Sequence, residues 1–432
     1  MKPSSNYRWF VVLVLFFFML LHQSDKLLIG PLTSSIMETF KIDEVKMGAV
    51  FTGALLVNAI LYPVWGYLYD RYARSKLLAL ASFIWGTTTW LSAIAPTYGS
   101  FVVTRATTGI DDSSYPGLYS LISDYFEPAI RGKVYGILQL AQPLGYLVGM
   151  LLATFLSGIL GWRGIFFVTG TMGLILSMVI YFRVKETPRG RSEPEMKNIE
   201  PVTSYKFDRS IAINLFRKRS LIFLFAQGFV GVFPWNVIIY WFFRYLETER
   251  NYSSQAIFTT MAPAILVLAS GYFIGGAIGD VFFKYNSRGR VIVAMTGVLT
   301  GAILLSFTMN VAIGNQGLFL VLLLITAIFI PFSSANVIST VYDVTLPEVR
   351  STALAIQYFI ENGGAALAPL LAGIIAVHSS LQNAILTICV TAWIVTSILL
   401  AFSAYYVPMD IQTLRHQMQE RANKEKAILG IE

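Results

Sequence analysis

Cysteine is almost missing from this sequence: Cys389 stands alone, which excludes an internal disulfide and leaves no thiolate cluster for a metal. Histidine is scarce as well. His22, His378 and His416 are too scattered along the chain for a metal site. Charge is thin, with only 13% of residues Asp, Glu, Lys or Arg, against about 25% in a soluble globular domain. No Gly-x-x-x-x-Gly-Lys-Ser/Thr phosphate loop, His-Glu-x-x-His pair or nucleophile elbow occurs. That argues against ATP-driven pumping and against hydrolytic enzymes, so no cofactor is expected.

What fills the sequence is apolar. Hydrophobic residues make up 55% and aromatics 14% of the 432 residues, and the mean hydropathy is +0.63. Runs of about 20 apolar residues recur, the length that crosses a hydrocarbon core of about 30 Å. The pattern is that of an all-α integral membrane protein. Twelve spans are expected, at 9–31, 47–67, 77–95, 100–125, 134–156, 164–182, 221–245, 256–282, 291–311, 318–341, 352–377 and 382–407. The first is read as a retained span and not a signal peptide, since no small-residue cleavage site follows it. A polar stretch rich in Pro, Arg, Lys and Glu splits the spans six and six. The expected organisation is an N-terminal half 1–184, a cytoplasmic linker 185–220 with a surface helix over 205–216, a C-terminal half 221–407 and a cytoplasmic tail 408–432. The net charge of +8 follows topology and does not call for a nucleic-acid partner. Lys41, Lys46, Arg163, Arg244 and Arg250 are the only cations in one set of alternate loops. The remainder lie on the other side, apart from Lys26 and Arg105 within spans, so both termini are expected to be cytoplasmic in a cell membrane.

Two polar patterns repeat. Gly66-x-x-x-Asp70-Arg71-x-x-Arg74 after span 2 returns after span 8 as Gly276-x-x-Gly279-Asp280-x-x-x-Lys284. Asp124-x-x-x-Pro128-x-x-Arg131 after span 4 returns after span 10 as Asp343-x-x-x-Pro347-x-x-Arg350. Duplicated six-span halves are an architecture of secondary transporters. Gly66 is expected to let two helices meet closely. Asp70, with Arg71, Arg74, Asp280, Asp124, Arg131, Asp343 and Arg350, is expected to form a gating latch between the halves.

These residues resemble the major facilitator superfamily, whose signature between spans 2 and 3 is similar to 66–76. Within it, Asp25-Lys26, Arg105-x-x-x-Gly109-Ile110-x-Asp112-x-Ser114-Tyr115 and Gly161-Trp162-Arg163 look like the Spinster-like branch. That branch usually has Asp-Arg and Gly-Glu where this chain has Asp25-Lys26 and Asp111-Asp112. The resemblance implies twelve helices in two pseudo-symmetric halves, with spans 1, 4, 7 and 10 lining a cavity, and proton-linked movement of lysolipids or sphingoid lipids.

Charges inside spans cost about 2.5–3.5 kcal/mol each on insertion scales and are functional candidates by default. On a continuous helix Arg105 and Asp112 share a face, and Asp111 points elsewhere. Asp112 is expected to face the interior and Asp111 a neighbouring helix or the outer vestibule. Asp25 and Asp112 are expected to carry the coupling proton, with Arg105 as switchable counter-ion and Asp111 and His22 assisting. A plain structural Arg105–Asp112 pair, and a His22 that is only a polar residue near the outer interface, are the competing readings. Expected substrate contacts are Arg105, Lys26, Gln227, Trp235, Asn236, Tyr240, Ser334, Asn336 and Glu361. The expected function is secondary transport by alternating access, coupled to H+, of a lysolipid or similar amphipathic anion, by a monomer in the lipid bilayer. A symporter of small organic anions and a non-transporting receptor are the alternatives.

Overall fold

A computed structural model of the chain describes residues 5–112, 114–126, 134, 137–188, 215, 217–345 and 350–429; side chains are described for fewer, those of Asp70, Asp112 and Arg350 not among them. Among the described residues the fold is entirely helical. In chain order the helices are α1 (Ser5–Phe40), α2 (Glu44–Arg71), α3 (Arg74–Ile94), α4 (Tyr98–Thr107), α5 (Gly109–Asp112), α6 (Tyr115–Tyr125), α7 (Ala141–Arg183), α8 (Arg219–Gly231), α9 (Phe233–Thr248), α10 (Ser254–Tyr285), α11 (Gly289–Met309), α12 (Gln316–Phe329), α13 (Phe332–Asp343), α14 (Arg350–Ala365), α15 (Ala368–His378) and α16 (Leu381–Leu429).

Ten helical stretches are long and apolar enough to cross a membrane. They reconcile with twelve spans at two places. Stretch 137–183 is two spans merged: Gly161, with φ 64° and ψ 171°, takes a left-handed conformation that only glycine adopts freely. It thereby joins two helices with a sharp break. The fourth span falls short of the length criterion because it is cut into α4, α5 and α6. The expected helical surface over 205–216 lies outside the described residues, apart from Leu215.

The helices are inside out relative to a soluble bundle. On α3, Ser82, Thr89 and Ser92 are buried, while Leu80, Phe83 and Trp90 are exposed. Lipid solvates the apolar face, and small or polar side chains go where backbones approach. Gly149 of α7 illustrates the closeness: a Cβ there would stand 2.4 Å from the Ser24 carbonyl oxygen of α1.

Contacts divide the chain into two units. The first comprises Met1–Tyr205, Asn236–Ala262 and Ala366–Ile385. Its apolar core gathers Phe18, Trp85, Leu121, Ile122 and Phe126, and α2 packs against α15. The second comprises Lys206–Trp235, Pro263–Ala365 and Leu386–Glu432, with Leu221, Leu224, Val291, Ala294 and Val341 in its core.

Candidate functional site

The intramembrane charges of the first unit collect around one face of α1, where His22 and Asp25, three residues apart, line the same cavity. Asp25, 3% exposed, accepts from Thr169 Oγ1 at 2.9 Å and Thr89 Oγ1 at 3.3 Å. Arg105 Nη1 of α4 is 3.7 Å from its Oδ2. The separation is longer than a hydrogen bond, so the pair is held by charge. The guanidinium carbon also lies 5.2 Å from the Phe166 ring centre, a cation–π contact. A buried ion pair of this kind carries a large desolvation penalty and is destabilised severely when one partner is removed.

One turn before Asp25, His22 Nε2 is 2.6 Å from Asp111 Oδ2, and Nδ1 contacts the Tyr115 hydroxyl, to which Gln23 Nε2 donates at 2.8 Å. His22 is 6% exposed and stacks on Phe18. The reading of His22 as an interfacial polar residue is therefore corrected: it is a buried bridge from α1 to α5 and α6. Asp111 does face a neighbouring helix.

A turn at Thr108 separates α4 from α5, with the backbone there still right-handed (φ −66°, ψ −19°). Arg105 has a charged partner on α1. The Asp112 side chain lies outside the described residues. Thr89 and Thr169, which complete the Asp25 site, carry no signal in sequence, because threonine is common in spans and their relation to Asp25 is purely spatial.

A cavity of about 40 Å³ opens beside this pair, lined by Asp25, Lys26, Arg105, Phe51, Trp85 and Tyr240 among others. Two cations and one carboxylate therefore share one small space. Tyr240 stacks on Phe51 with ring centres 4.4 Å apart. In the second unit a cavity of about 190 Å³ is lined by Gln227, Trp235, Ser334 and Glu361 with further aromatics. The expected substrate contacts thus divide: Arg105, Lys26 and Tyr240 around the first cavity, and Gln227, Trp235, Ser334 and Glu361 around the second. Asn236 is buried in the first unit and lines neither. Asn336 is corrected to a packing role, its Nδ2 donating to the carbonyls of Gly275 and Phe332 at 2.9 and 2.8 Å.

The loop residues form two matching networks. Arg74 is 1% exposed and donates to Asp124 at 2.5 Å, Glu186 at 2.9 Å, the Ser120 carbonyl and the Thr187 carbonyl. Arg290 donates to Asp280 at 2.7 Å and Asp343 at 2.5 Å. Each network joins elements within one unit. The sequence pairing of Arg74 with Lys284 is corrected: Lys284 is exposed, and Arg290, at the start of α11 as Arg74 is at the start of α3, occupies the equivalent place. Arg71 lies over the Tyr67 ring at 4.9 Å. Gly66 makes no close helix contact, since nothing lies within 4 Å of a Cβ there. Arg131 and the side chains of Asp70 and Arg350 lie outside the described residues.

The sequence pattern of the Major Facilitator Superfamily matches residues 13–312. The chain is 28% identical to Protein spinster of Drosophila melanogaster over 384 residues, covering 85% of this chain and 62% of that protein's length. It is 25% identical to a probable L-galactonate transporter of Escherichia coli (strain K12), over 88% of this chain and 86% of the relative. Its fold resembles the crystal structure of a bacterial homologue of the human lysosomal transporter Spinster in an inward-facing and unoccupied conformation. The TM-score is 0.76 at 18% identity, over 96% of this chain and 99% of that one.

Proposed function

From the premise that this chain belongs to the major facilitator superfamily, and so is a multi-pass membrane transporter and not an enzyme, we propose that it is a proton-coupled carrier of small organic anions. The observation that carries this reading is the placement of Arg105 and Lys26 on one small cavity beside Asp25. Two cations facing a compact space suit a carboxylate, which a guanidinium can grip through paired hydrogen bonds. The probable L-galactonate transporter, matched over most of both chains, points to the same substrate class.

Coupling follows from the Asp25–Arg105 pair. With Asp25 ionised, Arg105 is held toward α1. Protonation of Asp25 removes that attraction and frees the guanidinium for an incoming carboxylate, so that proton and anion travel together. Alternating access between six-span halves 1–184 and 221–407, with both termini cytoplasmic, completes the proposal, and the loop networks of Arg74 and Arg290 each brace one unit internally instead of latching one half to the other. Asp112, beside Asp111, belongs to the same proton path.

A second reading, a lysolipid or similar amphipathic anion, is favoured by the matches to spinster proteins. Uptake of L-galactonate and of a fluorescent lysolipid into proteoliposomes, with and without an inward proton gradient, tests both. The anion reading expects gradient-driven L-galactonate uptake that Arg105→Gln abolishes. Lysolipid movement alone would establish the second reading, and uptake indifferent to the gradient would overturn coupling.

A further inference from the structure

The cavity of the second unit has a chemistry opposite to that of the first. Among the described residues that line it there is no Lys, Arg or His; its single ionisable carboxylate is Glu361 of α14. Gln357 Nε2 donates to this side chain at 2.7 Å. Gly228 of α8 makes room for the pair: a Cβ there would stand 2.2 Å from Gln357 Nε2 and 3.1 Å from Glu361 Cγ. Beside them, Gln357 Oε1 and Thr396 Oγ1 are buried without a hydrogen-bond partner. Gln357 and Thr396 are each 1% exposed. Four aromatic rings, Trp235, Tyr272, Tyr358 and Trp393, share the wall with aliphatic and small residues such as Val298, Ile330 and Ser334.

A carboxylate, the unpartnered Thr396 hydroxyl oxygen and four aromatic rings, with no Lys, Arg or His among the described lining residues, form an environment for positive charge. Ring faces attract a desolvated ammonium through the aromatic quadrupole, and Glu361 supplies the counter-charge. We infer that the second-unit cavity, lined by Glu361, Trp235, Tyr272, Tyr358 and Trp393, is a binding site for an organic ammonium group. At about 190 Å³ it is smaller than the about 300–1,000 Å³ of pockets that enclose a whole drug-sized ligand. It therefore takes a small head group and not an extended molecule. The inference concerns the second unit alone and does not rest on the anion reading of the first.

The test is equilibrium binding to the purified full-length protein in detergent, read by tryptophan fluorescence, with choline as probe and 3,3-dimethylbutan-1-ol as its uncharged isostere. Choline is expected to give a saturable change and the isostere none at the same concentrations. Glu361→Gln is expected to weaken choline binding at least roughly tenfold, as loss of a charged partner does, and Trp393→Leu to weaken it also. Arg105→Gln is expected to leave it unchanged. Equal responses to choline and isostere, or unchanged affinity in a Glu361→Gln protein that retains its melting temperature, would overturn the assignment. If Glu361→Gln proves unstable, Trp393→Leu and the isostere comparison decide alone. Failure of the anion reading appears instead as absent L-galactonate uptake with choline binding intact.

Discussion

Arg105 Nη1 stands 3.7 Å from Asp25 Oδ2, and the two groups belong to different helices, α4 and α1, that the chain brings together only on folding. The distance admits attraction without a tight hydrogen bond, and Thr169 and Thr89 hold the carboxylate in place from α7 and α3.

Neutralising Asp25 therefore has a directional outcome. Asp25→Asn is expected to reduce gradient-driven L-galactonate uptake at least roughly tenfold, on the scale of a charge-assisted contact of about 1.5–3 kcal/mol, while equilibrium exchange across the same vesicles persists. Parallel loss of driven uptake and exchange would place Asp25 in binding and not in coupling.

The two loop networks differ in burial, and so in what they contribute. Arg74 is enclosed with Asp124 at 2% and 5% side-chain exposure, so Arg74→Ala strips a buried carboxylate of this cation and costs about 3–5 kcal/mol. Arg290 pairs with an Asp280 that is 61% exposed, and that contact is worth about 0–1 kcal/mol. Thermal melts in detergent should show the larger fall for Arg74→Ala. Equal falls would mean that the duplicated networks bear equal load.

Glycine positions separate packing from sequence pattern. A Cβ at Gly109 would stand 2.1 Å from the Ala54 carbonyl oxygen of α2, whereas at Gly66 it meets nothing within 4 Å. Gly109→Ala is expected to cost about 1–3 kcal/mol or more through overpacking, and Gly66→Ala to be neutral in stability. Expression level and melting temperature in detergent check both. A destabilised Gly66→Ala would restore the close-approach role that the loop motif implies.

In the first unit Arg244 of α9 donates to Glu44 of α2 at 2.7 Å and to Ser34 of α1 at 2.9 Å. The side chains are 16% and 23% exposed, so salt reaches the pair in part. A double-mutant cycle with Glu44→Gln and Arg244→Gln should give a coupling energy of about 0.5–3 kcal/mol, smaller at high ionic strength. A coupling near zero in low salt would remove this contact from the forces joining α9 to α1 and α2.

The sequence alone determined that this is a polytopic helical membrane protein built from a duplicated six-span unit. Apolar run length and the recurrence of Asp-centred loop patterns are one-dimensional signals, set by bilayer thickness and by gene-level repetition. It also singled out Asp25, Arg105 and Asp111, because a charge in an apolar run is visible without a fold. Which charges meet was decided only in three dimensions. Arg105 of α4 meets Asp25 of α1, and His22 of α1 meets Asp111 of α5. Arg290 replaced Lys284 because a position at the start of α11 matters more there than a count of four residues from an aspartate. The threonines that hold Asp25, and the aromatic walls around Glu361, are ordinary residues whose role is a matter of proximity, and proximity between helices far apart in sequence is fixed by packing.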